Sequence, residues 1–178
     1  MMTFRKRPNW TIWPVLVALT LTLTLIAIRS NAHVQEAVFL VHYAEGNPSG
    51  TELTKTGKMK AQALARELED AGIDVIYAVN RPYTVLTAEP TAKALNVKIN
   101  EFGGKNFGGP AAIDAWTRQL PTEHANQRVL VVTGANSGRL ILKGLGVPDK
   151  EIVTRRTDNL FLIIPRGSDE PKVIKLRW

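Results

Sequence analysis

Two runs constrain this chain more than anything else in it. Residues 37–41 (AVFLV) and Arg128–Thr133 (RVLVVT) are apolar at successive positions rather than at alternate ones. Successive side chains of a strand point to opposite faces, so a strand of this kind must be covered on both sides. Between them lie helical patterns. Ala61, Leu64, Leu68 and Ala71 recur at helical spacing while Lys58, Lys60, Arg66, Glu67 and Asp70 stay polar, and Gly72 marks a stop.

The rest of the chain keeps the alternation. Residues 74–78 predict a second short strand, 84–95 a helix that Pro90 kinks or divides, 97–99 a brief third strand and 111–120 a helix. After RVLVVT, residues 138–145 predict a helix closed at Gly146, with Pro148 just beyond. The repeated β-α order implies a largely parallel α/β sheet. Residues 159–164 (NLFLII) and 172–178 (KVIKLRW) flank a turn-rich 165–171, which predicts an antiparallel hairpin with Ile174, Leu176 and Trp178 facing the core.

The N-terminus follows another logic. Arg5, Lys6 and Arg7 precede 12–28 (IWPVLVALTLTLTLIAI), a run without a charge. This is the pattern of an export signal. It is slightly long for a signal-peptide core and slightly short of the ~20 residues that span a bilayer. Ser30 and Ala32 offer a small-x-small cleavage site, so residues 1–32 read as a signal peptide or membrane anchor and 33–178 as the domain. A buried core helix is the alternative that the cationic flank disfavours. The basic flank should stay in the cytoplasm, which places the domain across the membrane: periplasmic and soluble if cleaved after Ala32, held at the inner membrane if not.

Charge narrows the function classes. Of the formal +7 over 178 residues, four charges (Arg5, Lys6, Arg7 and Arg29) sit in the leader, which has no Asp or Glu, leaving +3 for the domain. A nucleic-acid partner thus loses its main support. The chain has no cysteine, hence no disulfide or thiolate site, and His33, His42 and His124 are not spaced as metal ligands. Neither a metal nor a cofactor is expected. The glycines of 103–109 (GGKNFGG) fit no phosphate-loop pattern and read as a connection, and Lys150, Arg155 and Arg156 as a solvated face.

In a parallel sheet, ligands bind beyond the carboxyl ends of the strands, which directs attention to His42 and Tyr43, to 79–83, and to Gly134, Ala135 and Asn136. There the chain resembles a known family. LVHYAE at 40–45, LTKTG at 53–57, YTVLTAEP at 83–90, VLVVTGANS at 129–137 and DNLFLI at 158–163 are together similar to the histidine phosphatase (phosphoglycerate mutase-like) superfamily, in particular its short, exported bacterial members. The resemblance implies a three-layer α/β/α sandwich.

It also implies a phosphate pocket, and there the chain departs from the pattern. The family's first strand ends in Arg-His, the arginine holding phosphoryl oxygens and the histidine attacking phosphorus; here His42 and Tyr43 stand in those places. Tyr83 stands where a second arginine is expected, four residues before Thr87, and Gly134 where a second histidine is expected. Phosphoryl transfer depends on cations that neutralise spreading negative charge. A phenol, with an ordinary pKa of about 10, is a poor nucleophile without them.

Arg81, Glu45, Glu89 and Asn136 are possible neighbours of the altered pocket. The expectation is a catalytically inactive member of the fold that binds an unknown small molecule or protein. A phosphomonoester hydrolase using Tyr43 or His42 with Arg81 is the alternative. For the leader, mass spectrometry of the exported protein should give a chain beginning at His33; a retained Met1 would mean an anchor.

Overall fold

A computed structural model describes residues 36–103, 109–152 and 158–178. The leader, His33, the middle of the glycine-rich stretch, and Arg155 and Arg156 lie outside the described residues. Among the described residues no helix is long and apolar enough to cross a membrane.

Six strands, β1 (Ala37–His42), β2 (Val75–Val79), β3 (Ile99–Phe102), β4 (Arg128–Thr133), β5 (Asn159–Arg166) and β6 (Asp169–Arg177), form one sheet in the order β3-β2-β4-β1-β5-β6. β1, β2, β3 and β4 run parallel, while β5 and β6 add an antiparallel hairpin beside β1. The two doubly apolar runs are the central strands and pair with each other from Ala37 with Arg128 to His42 with Thr133.

Helices α1 (Lys55–Glu67) and α2 (Pro82–Leu95) cover one face, where Leu64, Leu68, Ala88 and Ala92 meet Phe39, Val41, Ile76, Leu130 and Val132. Helices α3 (Pro110–Glu123) and α4 (Ala135–Gly144) cover the other, where Ile141, Leu142, Ile113 and Trp116 meet Val38, Leu40, Val129 and Val131. The odd and even residues of β1 thus feed two cores, as its pattern demanded.

The LTKTG segment shows how sequence becomes position. Leu53 is buried against Ala44 and Ala61. Thr54 caps α1 by accepting from the Gly57 backbone N–H at 3.0 Å, and its own N–H donates to the Glu45 carbonyl at 2.9 Å. Gly57 lies against that same carbonyl so closely that a Cβ would come within 2.1 Å of the oxygen. One motif therefore starts a helix and fastens it to the chain leaving β1.

Several expectations shift. Val97 belongs to a helix end instead of β3: Asn96 adopts a left-handed conformation (φ 54°) and the Val97 N–H returns to the Ala92 carbonyl at 3.0 Å, so the strand begins at Ile99. Pro90 does not divide α2, which runs unbroken. Helix α4 begins one turn early because Gly138 is a close-packing residue inside it, where a Cβ would come within 3.1 Å of Thr133. The hairpin turn shrinks to Gly167 and Ser168, with Pro165 at an irregularity of β5. Leu176 is 48% exposed, not core-facing, because β6 is an edge strand; Trp178 does pack inward. His124, at the end of α3, is half-buried, its Nε2 2.9 Å from the Tyr77 hydroxyl and its Nδ1 2.8 Å from Gln127 Oε1. Burial and nearby Glu123 push the Tyr77 phenol up from its usual range.

The backbone contact at Gly57 leaves no room to relax. Gly57→Ala should destabilise the protein by roughly 1–3 kcal/mol, the range for overpacking, read as a lowered urea midpoint with unchanged slope.

Candidate functional site at the carboxyl ends of β1, β2 and β4

β1 and β4 end level, and the Tyr43 N–H continues the ladder by donating to the Thr133 carbonyl at 3.0 Å. β2 ends on the other side of β4. The chain leaves these three strand ends as Tyr43, as Arg81, and as Gly134, which is the N-cap of α4 and has an extended backbone (φ −93°, ψ 167°). The three departures wall a cleft of about 330 Å³, lined by Tyr43, Arg81, Tyr83, Gly134 and Ser137 with Val79, Pro82, Thr84 and Gly50.

α2 holds one side of the cleft through its hydroxyls. Thr87 Oγ1 donates to the Tyr83 carbonyl at 2.6 Å and accepts the Ala44 N–H at 3.0 Å, tying the helix to the segment that follows β1. Thr84 Oγ1 sits between the Val79 and Arg81 carbonyls, 2.7 Å from the latter, and fixes the turn into the helix. This is the local work of YTVLTAEP.

Tyr83 has a structural task. Its hydroxyl donates to the Asn47 carbonyl, and its ring lies on Gly46 so tightly that a Cβ there would come within 2.1 Å of Cε1. Asn47 in turn organises the loop: its Oδ1 accepts the N–H groups of Thr51 and Glu52, each at 3.2 Å. Tyr83 therefore pins the loop of residues 46–53 over the cleft. The Tyr43 ring lies 5.4 Å from that of Tyr83, tilted by 39°, and a Cβ on Gly134 would touch its edge at 3.4 Å.

The structure brings Tyr43, Tyr83, Gly134 and Arg81 together and leaves the other sequence candidates outside the cleft. His42 continues the opposite face of β1 and borders a separate cavity of about 20 Å³ with Leu40, Thr133, Gly134 and Asn159, room for about one water. Its Nδ1 is 3.0 Å from the Tyr43 carbonyl. The His42 and Tyr43 rings nonetheless come within 4.3 Å, because strand alternation ends between them. Glu45 is exposed and pairs with Lys60 at 2.9 Å. Glu89 borders a groove between α1 and α2 instead. Asn136 is exposed on the first turn of α4 and is not in the wall; Ser137, which sequence reasoning missed, is. The signal for Ser137 was the start of α4 immediately after Gly134, obscured by starting that helix at Gly138.

Among the residues that line the cleft, Arg81 carries the sole formal charge. It is exposed, and among the described residues its guanidinium has no carboxylate within ion-pair distance. Among the described residues no group of three or more His, Asp or Glu could hold a metal ion.

Fold and site together define an α/β domain with its cleft at the carboxyl edge of a mixed sheet. Residues 43–103, from the end of β1 to the end of β3, match the family model of the histidine phosphatase superfamily (branch 1). The solved structures supply the fold for the rest. The protein histidine phosphatase SixA complexed with tungstate is similar at 15% identity and a TM-score of 0.64, over 79% of this chain and 96% of that one. Phosphoserine phosphatase from Entamoeba histolytica, in complex with 3-phosphoglyceric acid, is similar at 15% identity and 0.58, over 78% and 94%. A mycobacterial glucosyl-3-phosphoglycerate phosphatase is similar at 11% identity and 0.59, over 80% and 97%. No curated protein matches the chain. The chain is thus similar to the histidine phosphatase superfamily over residues 43–103 and shares the fold of these solved structures.

Proposed function

We propose that this chain is a catalytically inactive member of the superfamily, with a binding or regulatory role outside the cytoplasm exerted at the cleft of Tyr43, Tyr83, Gly134 and Arg81. The observation that carries this reading is the commitment of Tyr83. It stands where the family resemblance expects a phosphate-holding arginine, and its hydroxyl is spent on the Asn47 carbonyl. The group that should neutralise phosphate instead holds a loop in place.

The surroundings support the same reading. His42, in the place of the other arginine, borders a different cavity, and Gly134 offers only backbone where an imidazole is expected. Loss of one charge-stabilising donor costs a factor of about 10² to 10³ in rate, and groups acting as a unit fail together once the nucleophile is gone. The extracytoplasmic location rests on the cationic, apolar leader and its small-x-small site. The cleft suits a neutral or aromatic group, from a small molecule or a protein side chain, better than a phosphate dianion.

One observation favours a second reading. Arg81 lines the same cleft as Tyr43, so a guanidinium and a hydroxyl without a hydrogen-bond partner among the described residues share one wall. A phosphomonoester hydrolase with Tyr43 as nucleophile would use that pair. Incubating the full-length protein with p-nitrophenyl phosphate separates the two. The inactive reading expects hydrolysis at the protein-free background, unchanged in Tyr43→Phe, His42→Ala and Arg81→Gln; turnover that any of these abolishes would establish the hydrolase.

A further inference from the structure

We propose that the cleft binds a small aromatic carboxylate, its ring against Tyr43 and Tyr83 and its acid group on Arg81. The inference rests on the binding role proposed above and names the class of ligand.

Charge sets the first limit. With Arg81 as the one charged side chain in the wall, the cleft compensates a single negative charge. A carboxylate carries one; a phosphomonoester carries nearly two at neutral pH and would bring an uncompensated charge into a wall of rings and backbone. The guanidinium fork also matches a planar carboxylate, which it can bind through two parallel hydrogen bonds. Arg81 has no competing carboxylate among the described residues, so a ligand would not have to break an existing ion pair.

Shape sets the second. Because the Tyr83 hydroxyl is already bonded to Asn47, its chemistry toward the cleft is that of an aromatic surface. Tyr43 adds a second ring 5.4 Å away and tilted by 39°, an arrangement that leaves ring faces and edges available to a third aromatic group. The volume, about 330 Å³, is at the small end of ligand pockets and excludes large substrates. Arg81 and Ser137 also border an adjoining cavity of about 130 Å³, so the acid end of a ligand has space beyond the tyrosines and a hydroxyl beside the guanidinium.

Calorimetric titration of the full-length protein with phenylacetate, phenol and inorganic phosphate tests this. Phenylacetate should bind at least tenfold more tightly than either comparator. Arg81→Gln should weaken phenylacetate about tenfold while leaving phenol and the thermal midpoint unchanged, and Tyr43→Ala should weaken both aromatic probes. Phosphate binding as tight as phenylacetate, no phenylacetate binding, or binding indifferent to Arg81→Gln would each overturn the proposal. Failure here without p-nitrophenyl phosphate hydrolysis would remove the ligand class and leave the inactive reading standing; hydrolysis would remove that reading itself.

Discussion

The parallel pairing of β1 with β4 is the constraint on which the site depends. Their register, from Ala37 with Arg128 to His42 with Thr133, ends both strands at one level, and the Tyr43 N–H adds one further bond to Thr133. Both strands are apolar on both faces, so slipping the register by one residue would exchange their two cores at once. Tyr43 and Gly134 are therefore neighbours for the same reason that the protein has a core. β2, on the far side of β4, then brings Arg81 and the start of α2 to the same edge.

The family motifs divide into two kinds when followed to the atoms. Leu53, Thr54 and Gly57 build the start of α1 and its contact with Glu45, and Thr84 and Thr87 fasten α2 to the strand ends. These remain, and each has a bond or contact that explains it. The positions where the family resemblance expects phosphate contacts hold different residues, and one of these, Tyr83, closes the loop of residues 46–53 with a ring on Gly46 and a hydroxyl on Asn47. Tyr83 thus lines the cleft and fastens a loop at once, in a scaffold whose other fastenings come from LTKTG and from the threonines of α2.

Much of this was legible in the chain. Doubly apolar strands, a periodic α1 and ordered motifs fixed the sheet and its layers, since burial on both faces leaves few alternatives. Less legible were features that depend on partners far away in sequence. Val97 is β-branched and apolar but closes α2, because Asn96 takes the left-handed cap. Leu176 alternates correctly for a core face yet lies on an edge strand. Gly138 reads as the first residue of a helix but lies inside α4, where it permits the approach to Thr133, and starting the helix there hid Ser137. Within the site, strand parity separated His42 from Tyr43, and the end of β1 let their rings approach again. Glu45 was near in sequence but is held outward by Lys60, a partner 15 residues away.

The function proposed above holds that the cleft does not bind tetrahedral oxyanions, because His42, Tyr43, Tyr83 and Gly134 stand where the family resemblance expects phosphate-holding groups. Tungstate is a direct probe, titrated calorimetrically into the full-length protein and into the variant carrying His42→Arg, Tyr43→His, Tyr83→Arg and Gly134→His. The account predicts no saturable binding to the unaltered chain and saturable binding to the variant. Saturable tungstate binding by the unaltered chain, lost on Arg81→Gln, would contradict it.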